Sequence, residues 1–258
     1  MILRFVGTCA HDYSPLLNTT FRDALDMDAR RSSCALVDGH LLIDCGDHTP
    51  DSLRIQGIAP ESIDALLLTH LHGDHYNPEN IRTLAAAAPR PLIVAAHKDA
   101  MEELRGALSG GNVRLIPLEY LHKTEIAGLQ VTALPANHTR YPSHYLIDDG
   151  AKKLVYATDG AWILYDTLYA LKGQRVDLMA LDGTVGDYTG DFRVSEHNSI
   201  PMIRLMLESM SKLDIYRPDA PIYLTHIAPS LHKPHAQIVR DLEPEGLRVA
   251  YDGLEVEI

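Results

Sequence analysis

The chain has 258 residues, of which 46% are hydrophobic and 22% charged, and its formal net charge is −12. That length suits one β-rich or α/β domain with a sizeable core, and the ordinary apolar balance excludes a disordered chain. The acidity disfavours partners held by neutralising many phosphates, which requires clustered Lys and Arg, so a small-molecule substrate is expected and nucleic acid is not.

In chain order, "ILRFVG" reads as a first strand; its apolar run is too short for a signal peptide. No tract approaches the roughly eighteen apolar residues that a membrane helix needs, so a cytoplasmic protein with no membrane partner is the expectation. Cys9, Cys34 and Cys45 are widely spaced and form no C-x-x-C pair, which fits small buried apolar residues better than a disulfide framework. Arg30 and Arg31 read as a solvated basic turn, with a phosphate contact as the alternative. "CALVDGHLLID" then gives two strands joined by an Asp-Gly hairpin.

Further strands follow at "ALLLTH", "PLIVAA", "LQVTALPA", "KLVYATD", "VDLMALDG" and "PIYLTH", with a last pair in "LRVAYDGLEVEI" carrying a second Asp-Gly hairpin signal. Helical patterns run over Pro78 to Ala88, Lys98 to Leu108, Ala161 to Leu171, Ile200 to Lys212 and Pro234 to Leu242. The first has Asn77 as its cap and Pro78 at its first position, where the missing donor of proline costs nothing. Hairpins followed by alternating strands and helices predict an α/β (α+β) fold, a four-layer αβ/βα sandwich forming a single domain over residues 1–258, and argue against a TIM barrel.

The chain holds 14 histidines, several of them at predicted strand ends. In "LLLTHLHGDH" the leucine strand fixes His70, and Gly73 is expected to allow a sharp turn that points His72, Asp74 and His75 inward. Imidazole and carboxylate suit zinc, manganese or iron. One loop cannot close two metal sites, and polar groups stand at three more strand ends: His138, Asp159 and His226. Taken singly, Asp159 also reads as a plain turn or helix cap, and each histidine as a satisfied core residue.

The set H-x-H-x-D-H followed by histidine, aspartate and histidine resembles the metallo-β-lactamase fold superfamily of metallohydrolases over nearly the whole chain. The resemblance implies one divalent metal ion on His70, His72 and His138, a second on Asp74, His75 and His226, and Asp159 bridging them. It also implies a shared water or hydroxide as nucleophile, with Asp74 as a catalytic residue that orients it. Within the superfamily, "FVGTCAHDYSP", "RRSSCALVDGHLLIDCG" and "LTHIAPSLHKPH" are similar to PhnP-like phosphodiesterases and their ribonuclease Z relatives, among which homodimers are common. That branch typically carries a C-x-C-x-x-C cluster for a structural zinc. The corresponding "LLNTTFRDALDMDARR" lacks cysteine, so that extra metal is not expected.

Cleavage of a phosphodiester also needs a proton for the leaving oxygen. His197, just ahead of a helix start at Asn198 or Ser199, matches the segment in which the resembled branch places a catalytic histidine, and is the candidate acid; the competing reading is a surface histidine beside the cap. Asp182 ends a strand and either orients His197 or is a plain turn residue. His232 and His235 are read as pocket or anion-binding groups, or as solvated ones. Trp162 and Tyr165 are read as pocket wall or helix packing. The expected activity is hydrolysis of small, including cyclic, phosphodiesters. The alternatives are a lactone, thioester or other carbonyl hydrolase on the same metals, a tRNA-processing endonuclease and a non-catalytic metal-binding protein. An RNA-gripping Gly- and Lys-rich arm is not seen in the sequence.

Overall fold

The computed structural model describes residues 1–14, 17 and 24–258. Part of the stretch "LLNTTFRDALDMDARR" lies outside the described residues. The first sheet contains β1 (Ile2–Gly7), β2 (Cys34–Val37), β3 (Leu41–Ile43), β4 (Ala65–Leu67), β5 (Leu92–His97) and β6 (Val113–Leu118). The second contains β7 (Lys123–Ile126), β8 (Leu129–Pro135), β9 (Ser143–Asp148), β10 (Lys153–Ala157), β11 (Leu178–Asp182), β12 (Ile222–Thr225) and β13 (Leu247–Val249). The final strand, β14 (Glu255–Glu257), returns to the first sheet beside β1, so each sheet has seven strands.

Both sheets are mixed in the same way. Pairing is antiparallel from β14 through β3 and parallel from β3 through β6; it is antiparallel from β7 through β10 and parallel from β10 through β13. Side chains alternate across each pleat. Leu41 and Ile43 of β3 face the inter-sheet core with Phe5, Val131, Tyr145 and Tyr156, whereas Leu42 faces outward with Val6, Leu36 and Leu66. That outer layer packs on α1 (Thr49–Ile55), α2 (Pro78–Ala87) and α3 (Met101–Ala107). On the other side α4 (Tyr165–Leu171), α5 (Ile200–Lys212) and α6 (His235–Leu242) cover the second sheet. The four-layer sandwich is therefore observed, and its strands read as unbroken apolar runs because both faces are buried.

Several sequence expectations need correction. "YDGLEV" is no hairpin: the Asp252-Gly253 turn, with Gly253 at φ +91°, carries the chain from β13 in one sheet to β14 in the other. The helix expected from Ala161 starts only at Tyr165. Residues 98–100 form a short 3-10 turn ahead of α3. Arg30 and Arg31 are not a solvated turn, each being 2% exposed. Arg30 donates to the Thr8 hydroxyl, the Ala250 carbonyl and His235 Nδ1, and the Arg31 amide donates to buried Asp252. These bonds tie the segment after β1 to the turn between β13 and β14, and a buried guanidinium is tolerable only when its donors are satisfied in this way.

Candidate metal centre

The parallel parts of both sheets bring the C-terminal ends of β4, β10, β11 and β12 to one edge of the sandwich. The loop after β4 carries His70, His72, Asp74 and His75, while His138, Asp159, Asp182 and His226 follow or end β8, β10, β11 and β12. The first group thus comes from one sheet and the second from the other.

Asp44, immediately after β3, fixes the histidine loop. Its carboxylate accepts from the Thr69 amide at 2.7 Å, from the Thr69 hydroxyl and from His75 Nδ1 at 2.7 Å. Because His75 spends its Nδ1 proton on Asp44, Nε2 is the nitrogen turned toward the centre. Tyr145 donates from its hydroxyl to the Leu68 carbonyl, holding the strand end from beneath. Gly46 seats the same loop: a Cβ there would lie 1.8 Å from the Asp74 carbonyl oxygen. Gly73 is not the required glycine. Its φ is not in the left-handed region and its Cβ position meets nothing within 4 Å, so the expected glycine turn is corrected to a glycine contact at Gly46.

Two clusters result. In one, His72 Nδ1 lies 3.1 Å from His70 Nε2 and 3.1 Å from His138 Nε2. In the other, His75 Nε2 is 3.2 Å from His226 Nε2, and Asp74 Oδ2 is 3.3 Å and 3.4 Å from the same two atoms. Asp159 stands between them: Oδ2 is 3.3 Å from both His70 and His75 Nε2, and Oδ1 is 2.9 Å from His226 Nε2. Two nitrogens bound to one tetrahedral ion at about 2.0–2.1 Å are separated by roughly 3.3 Å, so the donor spacing fits such a cation. Converging imidazole nitrogens are otherwise poor neighbours, since each close pair can share only one proton.

The electrostatics divide the same way. Burial, helped by neighbouring imidazoles, depresses His70, and burial also depresses His72 and His138, leaving that set neutral and able to donate lone pairs. In the other set burial works against the charge, yet Asp159 and Asp74 hold His226 up at about 10 and, with Asp44, hold His75 well above the usual imidazole range. The carboxylates thus draw positive charge into the interior, where metal ions compete with protons for the same atoms. Asp44, Asp159 and His226 have φ of 65°, 53° and 57°, left-handed conformations that cluster at functional sites.

Asp182 organises the next layer. It accepts from His197 Nδ1 at 2.9 Å, from the amides of Thr184 and Asn198, and from the Asp159 amide. Thr184 Oγ1 lies 2.7 Å from His226 Nδ1 and 3.2 Å from His197 Nδ1. The His197 ring stacks on His226 at 5.3 Å between centroids and sits 5.2 Å from that of His138. Burial disfavours its charge, but Asp182 outweighs burial and raises its pKa.

All eight predicted site residues therefore converge, and a cavity of about 600 Å³ opens over them. His232 and His235 are not part of its lining: His232 Nε2 donates to the Gly183 carbonyl and His235 is bound to Arg30. Trp162, 44% exposed, is no pocket wall either. Sequence reading missed Asp44, Thr184 and Gly46, together with Arg193 on the cavity wall. Asp44 ends "LLID" as Asp159 ends "KLVYATD", so the same strand-end signal could have found it.

A face-to-face pair of mixed sheets with a histidine- and aspartate-lined candidate metal centre at one edge defines the metallo-β-lactamase fold. Residues 40–227, more than half of the chain, match the family model described as "Beta-lactamase superfamily domain", and the chain belongs to that superfamily. The anti-Pycsar protein Apyc1 of Bacillus phage vB_BsuM-Goe3 is 30% identical over 51% of this chain and 61% of its own length. The ribonuclease Z of Thermobifida fusca (strain YX) is 30% identical over 60% of this chain and 50% of its own length. The chain thus spans about half to three-fifths of these relatives. A crystal structure of a diphosphatase from the PhnP family aligns with a TM-score of 0.75 at 21% identity, covering 100% of this chain and 97% of that one, a likeness of fold.

Proposed function

We propose that this chain is a binuclear metal-dependent hydrolase of small phosphodiesters, cyclic ones included. The observation that carries the reading is His197, held by Asp182 and stacked against His226 in the lining of a cavity that also takes in His72, Asp74, His138 and Asp159. His70, His72 and His138 would hold one divalent ion, and Asp74, His75 and His226 the other, with Asp159 between; zinc, manganese and iron all suit these donors. When bound, such a pair supplies Lewis-acid activation of a phosphoryl oxygen and lowers the pKa of water.

The chain's own residues do the rest. Asp74 would orient the attacking water. His197 Nδ1–H donates a hydrogen bond to the Asp182 carboxylate, which leaves Nε2 to deliver a proton to the leaving oxygen. A cavity of about 600 Å³ suits a small substrate. Among relatives, the name ribonuclease Z refers to cleavage of a phosphodiester and supports a phosphorus centre over a carbonyl one.

The test is a panel assay of metal-loaded protein on bis-p-nitrophenyl phosphate, a cyclic phosphodiester, a lactone and a thioester. Turnover of the phosphodiesters above the carbonyl substrates is expected; turnover of the carbonyl substrates alone would overturn the reading.

A further inference from the structure

One buried polar side chain has no part in the hydrolysis described above. His144 lies on β9, opposite Leu134 of β8, and is 1% exposed. Tyr145 beside it faces the inter-sheet core, so His144 stands on the outer face in the row of Leu146, where an apolar side chain would suit the packing. Neither of its ring nitrogens has a hydrogen-bond partner among the described residues. An orphaned imidazole at full burial is costly and calls for a cause.

The ring ends against the turn that carries Asp159. A Cβ at Gly160 would lie 2.7 Å from His144 Nε2 and 2.9 Å from its Cε1, so the glycine is what lets this turn close on the imidazole. Other groups of the turn are fixed by side chains: the Asp159 amide donates to Asp182 at 3.2 Å, Asn198 Nδ2 to the Gly160 carbonyl at 2.9 Å, and Asn137 Nδ2 to the Ala161 carbonyl at 2.9 Å. The Asp159 carbonyl is the backbone acceptor that the His144 ring meets, without completing a bond of ordinary geometry. Asp159 sits at φ 53°, a conformation that persists only where its surroundings hold it.

We propose that His144 is a positioning residue for the carboxylate between the two donor clusters: in the metal-loaded protein one ring N–H donates to the Asp159 carbonyl and so fixes the peptide plane from which that carboxylate projects. This rests on the reading that Asp159 joins two ions. His144→Gln and His144→Met separate positioning from packing, since the two side chains are alike in length and volume and only glutamine carries an N–H donor near the place of Nε2. Metal-free protein is titrated with zinc in a calorimeter. The Gln variant is expected to bind close to wild type, and the Met variant about tenfold to a hundredfold more weakly, the usual cost of losing a group that orients a ligand. Urea denaturation of the metal-free variants should give the opposite order, with Met at least as stable as Gln, because an apolar side chain suits the row and an unpaired amide does not. Equal zinc affinity in the two variants, or the same order in both measurements, overturns the proposal.

If a variant fails to fold, the wild type decides. The ring N–H resonance of His144, identified by its proximity to the Gly160 Hα protons, is expected to move downfield on zinc loading, as a donor that gains an acceptor does; an unmoved resonance overturns the assignment. Wild-type protein that binds no zinc would overturn the metal reading and this inference with it, whereas two ions bound alike by the Gln and Met variants would remove only the role of His144. No substrate enters either measurement, so the result holds whichever ester is cleaved.

Discussion

His197 and Asp182 illustrate how one side chain can be tested without disturbing its neighbours. Asp182 holds not only His197 but the amides of Asp159, Thr184 and Asn198, so any change at Asp182 also moves the carboxylate between the two clusters. His197 lies outside the seven converging donors, and its replacement is the cleaner experiment. His197→Ala is expected to lower kcat by about 10²–10⁴, the usual contribution of a positioned acid, while metal content measured by plasma emission stays at the wild-type level. Unchanged turnover would place the proton donor elsewhere. His197 was legible because a lone histidine sits just before a helix start; Thr184 was not, since a threonine two residues past a strand end looks like any turn residue. Arg30 and Arg31 misled for a related reason: sequence alone cannot show that Asp252, 222 and 221 residues away, lies beside them.

At the scale of elements, the histidine loop depends on a neighbouring turn more than on its own glycine. The Cys45 amide donates to the His75 carbonyl at 2.8 Å and the Asn77 amide to the Cys45 carbonyl at 2.8 Å, which draws the backbone at Gly46 onto Asp74. A methyl at Gly46 would meet backbone carbonyl atoms at 1.8 and 2.3 Å, and no rotamer change relieves a clash with backbone. Gly46→Ala is expected to cost on the order of 3 kcal/mol or more and to lose metal, whereas Gly73→Ala, facing open space, should keep both within about 0.5 kcal/mol of wild type. Urea denaturation with parallel metal analysis checks the pair; equal tolerance at the two positions would contradict the packing argument. Sequence reading missed β6, β7 and β9, and for the first two the cause lies at the scale of elements. β6 and β7 are edge strands, β6 holding Pro117 and β7 reading "KTEI", so neither shows the apolar run of a strand buried on both faces. The second Asp-Gly turn was read as a hairpin because turn chemistry is local, while the sheet each flanking strand joins is not.

For the whole molecule, the centre lies where two separately built sheets meet. His70, His72, Asp74 and His75 belong to the first sheet's loop, and His138, Asp159 and His226 to loops of the second. Each proposed ion would therefore be a cross-link between the two halves of the sandwich, closing across an interface otherwise held by apolar packing. Without cations, Asp44, Asp74, Asp159 and Asp182 are buried carboxylates, balanced by charge on His75, His197 and His226. Folded protein alone presents these donors in register, so metal binding must stabilise it by mass action, about 4 kcal/mol for each site at a thousandfold excess over Kd. Chelation followed by gel filtration is expected to lower Tm markedly, and added zinc or manganese to restore it with close to two ions bound per chain. If two ions bind and Tm does not move, they sit away from the junction of the sheets, since an ion gripping both halves must resist their separation.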